Sequence, residues 1–159
     1  MGRTFNELMN SKTYAQCYIF EKDEKRAGYA LLAKTFSQEA GGEVLWIDEI
    51  FILPEFRCKG LGSEFFVFLK ENSKAARLRL EFCPNNEKAI EIYKRQGFQP
   101  LRYGQMIYGK WTKNSLYTLL TVFSKVSNNL IILAEKFEYS SILKIFNPKG
   151  NFFVRKYFI

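Results

Sequence analysis

Ile50-Phe-Ile-Leu-Pro-Glu-Phe-Arg-Cys-Lys-Gly-Leu-Gly-Ser-Glu-Phe65 passes from an apolar strand through Pro54 into a basic turn with glycines at 60 and 62, and then into a helix. That order of elements suits a bound phosphate. Gly60 and Gly62 let the backbone approach a ligand closely, and the helix that follows offers unpaired N–H groups and the positive end of its dipole. Arg57 and Lys59 add fixed positive charge.

Upstream, Val44 to Leu53 is the longest strand candidate. Strict alternation puts Val44, Trp46, Asp48, Ile50 and Ile52 on one face and Leu45, Ile47, Glu49, Phe51 and Leu53 on the other. Both faces are mostly apolar, which predicts a central strand and makes Asp48 and Glu49 anomalous, since a carboxylate there needs a partner or a purpose. Further back, Tyr14 to Phe20 and Gly28 to Phe36 read as a hairpin around the charged turn Glu21 to Arg26. Thr4 to Lys12 reads as a short helix, and Glu39 to Gly42 as a loop.

Downstream, a helix is expected over Leu61 to Leu69 and a strand over Ala76 to Cys83. Asn86 has the position of an N-cap for a helix Glu87 to Gln96, with Glu87 at its positive end, Lys94 and Arg95 in its last turn and Gly97 as terminator. Phe98 to Lys110 reads as two short strands. Strand and helix alternating from 44 to 98, beside a hairpin, predict an α/β (α+β) fold with a mixed central sheet. Beyond Lys113 no motif stands out; Leu116 to Glu135 is compatible with a helix and Phe152 to Ile159 with a strand.

The chain has 159 residues, 47% apolar and 17% aromatic, enough for one domain with a sizeable core. Its net charge of +8 is uneven: residues 113 to 159 hold seven Lys/Arg and two Asp/Glu, or +5, which leaves +3 for the rest. That suits a small polyanionic ligand, with the basic tail read as a solvated surface rather than a nucleic-acid site, for which no motif exists. There is no histidine, which excludes Ser-His and Cys-His nucleophiles and histidine metal sites. Cys17, Cys58 and Cys83 are odd in number and lack CxxC spacing, so neither a disulfide framework nor a metal is expected, and a cytoplasmic setting fits. Polar sequence follows Gly-Arg-Thr-Phe-Asn-Glu at the start, so no signal peptide is expected. Ser115 to Ala134, the one apolar stretch long enough for a membrane span, is interrupted by Ser124, Lys125, Ser127, Asn128 and Asn129, so no membrane partner is expected.

The turn departs from two familiar phosphate grips. A P-loop would follow its second glycine with Lys-Ser or Lys-Thr, whereas Ser63-Glu64 follows Gly62; a dinucleotide fingerprint would put a small residue where Phe65 stands. What remains is a pyrophosphate turn of the acetyl-CoA type. Arg57-x-x-Gly60-x-Gly62 after an apolar strand and proline resembles the signature of the GNAT superfamily of N-acetyltransferases. A second GNAT signature, Asn-x-x-Ala-x-x-x-Tyr-x-x-x-Gly-Phe, is matched by Asn86, Ala89, Tyr93, Gly97 and Phe98.

The resemblance covers Tyr14 to Lys110 and implies a GNAT-like mixed sheet flanked by helices. It implies acetyl-CoA as co-substrate, with no metal, and a primary amine as acceptor that attacks the acetyl carbon directly. Cys58, Lys59, Gly60, Leu61, Gly62 and Ser63 would wrap the pyrophosphate beside Arg57, the backbone of Ile52 and Leu53 would pair with the pantetheine arm, and Asn86 is a further contact. A bulge in the strand would open a gap in the sheet, with an N–H there polarising the thioester carbonyl. By the same resemblance Tyr93 would protonate the leaving thiolate, and Glu49, with Asp48 as competitor, is the candidate to take the amine proton, since both sit in the central strand shortly before the turn. Residues 1–112 would form the acetyl-CoA-binding domain with a shortened N-terminus. Residues 113–159 form an atypical extension whose role as edge strand, homodimer contact or loose tail stays open. A non-catalytic acetyl-CoA-binding module is the competing expectation.

Overall fold

A computed structural model describes residues 7, 8, 10, 11, 13–106 and 108, together with the backbone of 142–146 and 152–157. Two long strands, β1 (Ala15–Lys22) and β2 (Lys25–Ser37), form an antiparallel hairpin. Asp23 and Glu24 link them, both at positive φ (50° and 60°), the sign pattern of a two-residue turn that follows the strands' own twist. β3 (Gly42–Ile52) pairs antiparallel with β2. Pro54–Phe56 makes one 3-10 turn, α1 spans Leu61–Asn72, β4 (Arg77–Leu80) lies parallel to β3, and α2 spans Glu87–Arg95. β5 (Ile142–Phe146) and β6 (Phe152–Tyr157) are antiparallel to each other, and β6 lies antiparallel to β1. The sheet order is β4-β3-β2-β1-β6-β5.

The main core lies on the sheet face that carries the helices. Tyr18, Phe20, Ala30, Leu32, Leu45 and Ile47 meet Leu61, Phe65, Phe66 and Leu69 of α1, while Ile92 and Tyr93 of α2 pack at its margin. The helical spacing of 61, 65, 66 and 69 makes one apolar face. Phe65 anchors it, fully buried, with ring centroids 5.0 Å from Phe20 and 5.5 Å from Tyr18. Burying one such ring contributes about 1.5–3 kcal/mol. On the opposite face a smaller cluster joins Cys17, Ile19 and Tyr29 to Leu8, Leu31 and Phe51.

β3 does not keep strict alternation. Leu31 is opposite Glu49 and Leu32 opposite Ile47, so Asp48 is an extra residue without a partner on β2, a β-bulge. Leu45 and Ile47 face the helices before it, and Ile50 and Ile52 face them after it. The alternation expected from the sequence, which put Ile50 and Ile52 opposite Leu45 and Ile47, is corrected by that one added residue. Other boundaries shift too. α1 runs three residues past Leu69, β4 is four residues long rather than Ala76 to Cys83, and the described residues between 98 and 108 form no strand. The expected helix at Leu116 to Glu135 lies outside the described residues. Phe152–Tyr157 is a strand, as expected, and Glu7, Leu8 and Asn10 are helical within the short N-terminal helix read from the sequence.

Gly28 pins the far end of β3. A Cβ built on it would sit 2.1 Å from the Phe51 carbonyl oxygen, a backbone atom that cannot yield without parting the strands. Gly28→Ala is expected to destabilise the fold by about 3 kcal/mol and lower the melting temperature by roughly 10 °C. Urea unfolding within 0.5 kcal/mol of the parent, a threshold at about the scatter of neutral surface changes, would refute that close approach.

Candidate active site

The bulge coincides with a parting of the sheet. β3 and β4 pair from Val44↔Arg77 to Ile47↔Leu80, and there the pairing stops. Beyond it β3 continues to Ile52 against β2 alone, while Glu81, Phe82 and Cys83 leave the sheet towards the second helix. A wedge opens between the strands, flanked by the outer edge of β3 from Asp48 to Ile52. At the end of that edge, the Leu53 N–H donates to the Ala27 carbonyl (2.9 Å), and the Ile52 carbonyl accepts from Arg57 Nε (2.9 Å).

Past the wedge the chain makes the basic turn. The 3-10 segment closes with the Arg57 N–H donating to the Pro54 carbonyl, and Cys58 then takes φ +57° and Gly60 φ +84°. Two left-handed residues within three positions curl the backbone so that Gly60 becomes the N-cap of α1, with no side chain capping it. The helix ladder begins with the Glu64 N–H donating to the Gly60 carbonyl (3.0 Å), which leaves the N–H groups of Leu61, Gly62 and Ser63 at the open end of the helix. Cys58, Lys59 and Gly60 are exposed, Gly62 and Ser63 partly so, and Leu61 is buried beneath them as the anchor. Arg57 and Lys59 lie against the rings of Phe51 and Phe56 (6.0 and 5.3 Å to the centroids), which holds both cations beside the turn. A side chain at Gly62 would stand in ordinary contact with Ile52 (3.6 Å), so packing alone does not demand glycine there.

The two acidic residues are separated by the bulge. The Glu49 carboxylate accepts a 2.5 Å hydrogen bond from the phenol of Tyr29, on the face away from the helices. Its pKa is raised, first by burial; the Tyr29 bond opposes this, and the neighbouring Asp48 charge adds to it. Asp48 is exposed, yet its carboxyl is also raised, by desolvation and then by the like charge of Glu81 across the wedge. Beside them Arg79 stacks 4.1 Å over the Trp46 ring. The Gln105 amide, oriented by its hydrogen bonds, accepts from Arg79 (2.8 Å) and donates to Glu81 (3.0 Å).

Tyr93 lies on the other side. Its ring meets Phe66 (5.8 Å), Phe98 (6.2 Å) and Phe82 (6.4 Å), and burial raises its pKa, keeping the phenol protonated. Asn86 Oδ1 accepts from the Ala89 N–H (3.2 Å), the expected N-cap, while Phe98 closes the turn after Gly97 (φ +87°) by donating its N–H to the Tyr93 carbonyl. The structure thus brings Asp48, Glu49, Ile52, Leu53 and the 57–63 turn along one strand edge. Tyr93 sits at the margin of the core between the helices and the sheet, and Asn86 at the start of its helix. Sequence reasoning missed Tyr29 and the facing of Asp48 by Glu81, both of which depend on a register that no local pattern displays.

The family model described as "Acetyltransferase (GNAT) family" matches residues 2–98. The chain belongs to this family. GNAT relatives of known activity include the thialysine N-epsilon-acetyltransferases of Mus musculus and Bos taurus, each 30% identical over 77 residues. The match takes in 46% of this GNAT chain and 45% of each relative. Among solved structures, a possible acetyltransferase from Clostridium difficile 630 superposes with a TM-score of 0.61 at 18% identity, over 69% of this chain and 75% of that one. An aminoglycoside N-acetyltransferase in complex with CoA gives 0.54 at 19% identity, over 67% and 83%. At such identities the likeness is one of fold, and it is the GNAT fold.

Proposed function

We propose that the chain is an N-acetyltransferase that passes the acetyl group of acetyl-CoA directly to a primary amine. The observation that carries this reading is the wedge between β3 and β4, with Glu49 on one sheet face and Tyr93 on the other. A thioester laid in the wedge can be approached by the amine from the Glu49 face while the sulfur departs towards Tyr93. The donor-rich turn at 58–63 suits the pyrophosphate, with Arg57 and Lys59 as its cations. Arg57 would release the Ile52 carbonyl to the pantetheine amide, exchanging one hydrogen bond for another.

The chemistry balances on these groups. The amine lone pair forms the C–N bond as the C–S bond breaks, the amine proton passes to the Glu49 carboxylate, and the Tyr93 phenol supplies the proton for the thiolate. A carboxyl with a raised pKa is a stronger base than an ordinary glutamate, and a phenol kept neutral by burial is ready to donate. Cys17 is not a nucleophile here, since burial and then Glu49 push its thiol up to about 12. Asp48 and Glu81, near enough for their charges to interact, would make the wedge acidic, which favours a cationic acceptor. Thialysine, the substrate named for the mammalian relatives, carries such an amine.

Titrating acetyl-CoA calorimetrically and then following CoA release with thialysine, lysine, spermidine, an aminoglycoside and a peptide N-terminus tests the reading. Binding with turnover of at least one amine is expected. Binding with no turnover would favour a non-catalytic acetyl-CoA module, and no binding would sink both.

A further inference from the structure

The Tyr29 hydroxyl is a buried polar group that the proposed catalytic pair does not by itself explain. Tyr29 is fully buried in the middle of β2, where a phenylalanine would pack as well and leave no hydroxyl to satisfy. Its hydroxyl reaches diagonally across to β3: Tyr29 is opposite Phe51 and Leu31 opposite Glu49, so Tyr29 and Glu49 are two-residue diagonal neighbours on one face. That meeting depends on the bulge, because the added Asp48 puts Glu49 and Phe51 on the Tyr29 face. The ring is held by Phe51 at 5.7 Å and by Cys17 and Ile19 of β1, so the hydroxyl has little freedom to turn away.

We infer that Tyr29 is the positioning residue for Glu49, fixing its carboxylate beside the wedge and setting the pH at which it can accept the amine proton. This deepens the acetyltransferase reading and rests on it. The groups that bear on Glu49 are the Tyr29 phenol from β2, the Cys17 thiol from β1 and Asp48 on its own strand. Cys17 is neutral at working pH and Asp48 repels, so Tyr29 is the group in this set that stabilises the ionised carboxylate. The sign follows. Removing the donor leaves burial and Asp48 unopposed, and Glu49 must then ionise at higher pH.

Tyr29→Phe keeps the ring and its packing while deleting only the donor. Two readouts apply. In protein carrying 13C-labelled glutamate, the Glu49 carboxyl resonance, assigned by its loss in Glu49→Gln, reports ionisation without any substrate. The acid limb of kcat/KM with the amine turned over by the parent reports the base in action. Both are expected to move upward together in Tyr29→Phe, by about one pH unit, with acetyl-CoA affinity unchanged. An unmoved Glu49 resonance would overturn the role of Tyr29 even where Glu49→Gln is inactive. If the resonance moves and the limb does not, Glu49 is not the base, and a normally active Glu49→Gln confirms that the acetyl-transfer reading, not the hydrogen bond, needs revision at this residue.

Discussion

Gly60→Glu is expected to lower affinity for acetyl-CoA by about 100-fold or more, the equivalent of about 2.7 kcal/mol at 25 °C. Two effects combine. Gly60 sits at φ +84°, where a residue with a Cβ costs on the order of 1–2 kcal/mol, so the turn would relax away from its tight curl. The new carboxylate would also stand at the mouth of the turn with the Glu64 carboxylate already close: a Cβ at position 60 lies only 3.5 Å from Glu64 Oε1. A pyrophosphate meeting two carboxylates loses the advantage of the helix N-terminus. Gly60→Ala separates the contributions, since it adds strain without charge, and should retain affinity to within about tenfold. Calorimetric titration decides it, and parental affinity in the glutamate variant would falsify the pyrophosphate turn.

Tyr93→Phe is expected to reduce kcat by about 100-fold while leaving acetyl-CoA affinity near that of the parent, within the usual contribution of a general acid. The ring's contacts with Phe66, Phe82 and Phe98 survive the change, so any loss belongs to the hydroxyl. Because burial raises the Tyr93 pKa, the phenol stays protonated through neutral and mildly alkaline pH. A fall in kcat/KM on the alkaline side below pH 10, the ordinary phenol value, would therefore have to come from another group. Steady-state kinetics with saturating acetyl-CoA provides the measurement. Unchanged turnover would return Tyr93 to the core as a packing residue.

Much of the stretch from Pro54 to Phe98 was legible in the chain because it is built from local rules. Pro54, the Gly60 turn, the Asn86 cap and the Gly97 terminator each act within four residues, and the backbone angles and hydrogen bonds fall where those residue types require. Cys58 at φ +57° is a case the residue type did not announce, since cysteine has no preference for the left-handed region. The acidic pair in β3 was less readable. Asp48 and Glu49 stood out as anomalies, but the groups that act on them, Glu81 and Tyr29, lie 33 and 20 positions away along the chain and come near only in the folded sheet. Register is set by the whole sheet, and a bulge changes it by one residue without any marker in a run of alternating apolar positions. The shortness of β4 is likewise invisible locally: Glu81 to Cys83 have strand-like composition, but pairing with β3 stops at Ile47↔Leu80 and they leave the sheet.

The bulge at Asp48 also answers how a strand apolar on both faces tolerates an adjacent pair of acids. An even count from Ile47 would have sent Glu49 towards the helix-side core that holds Phe65, and turned Ile50 and Ile52 to the opposite face. One supernumerary residue reverses the parity of everything after it. The greasy positions return to the greasy side, one acid is left at the bend and the next is handed to Tyr29. In this chain, one added amino acid separates an ordinary core strand from one that holds a hydrogen-bonded carboxylate beside an opening in the sheet.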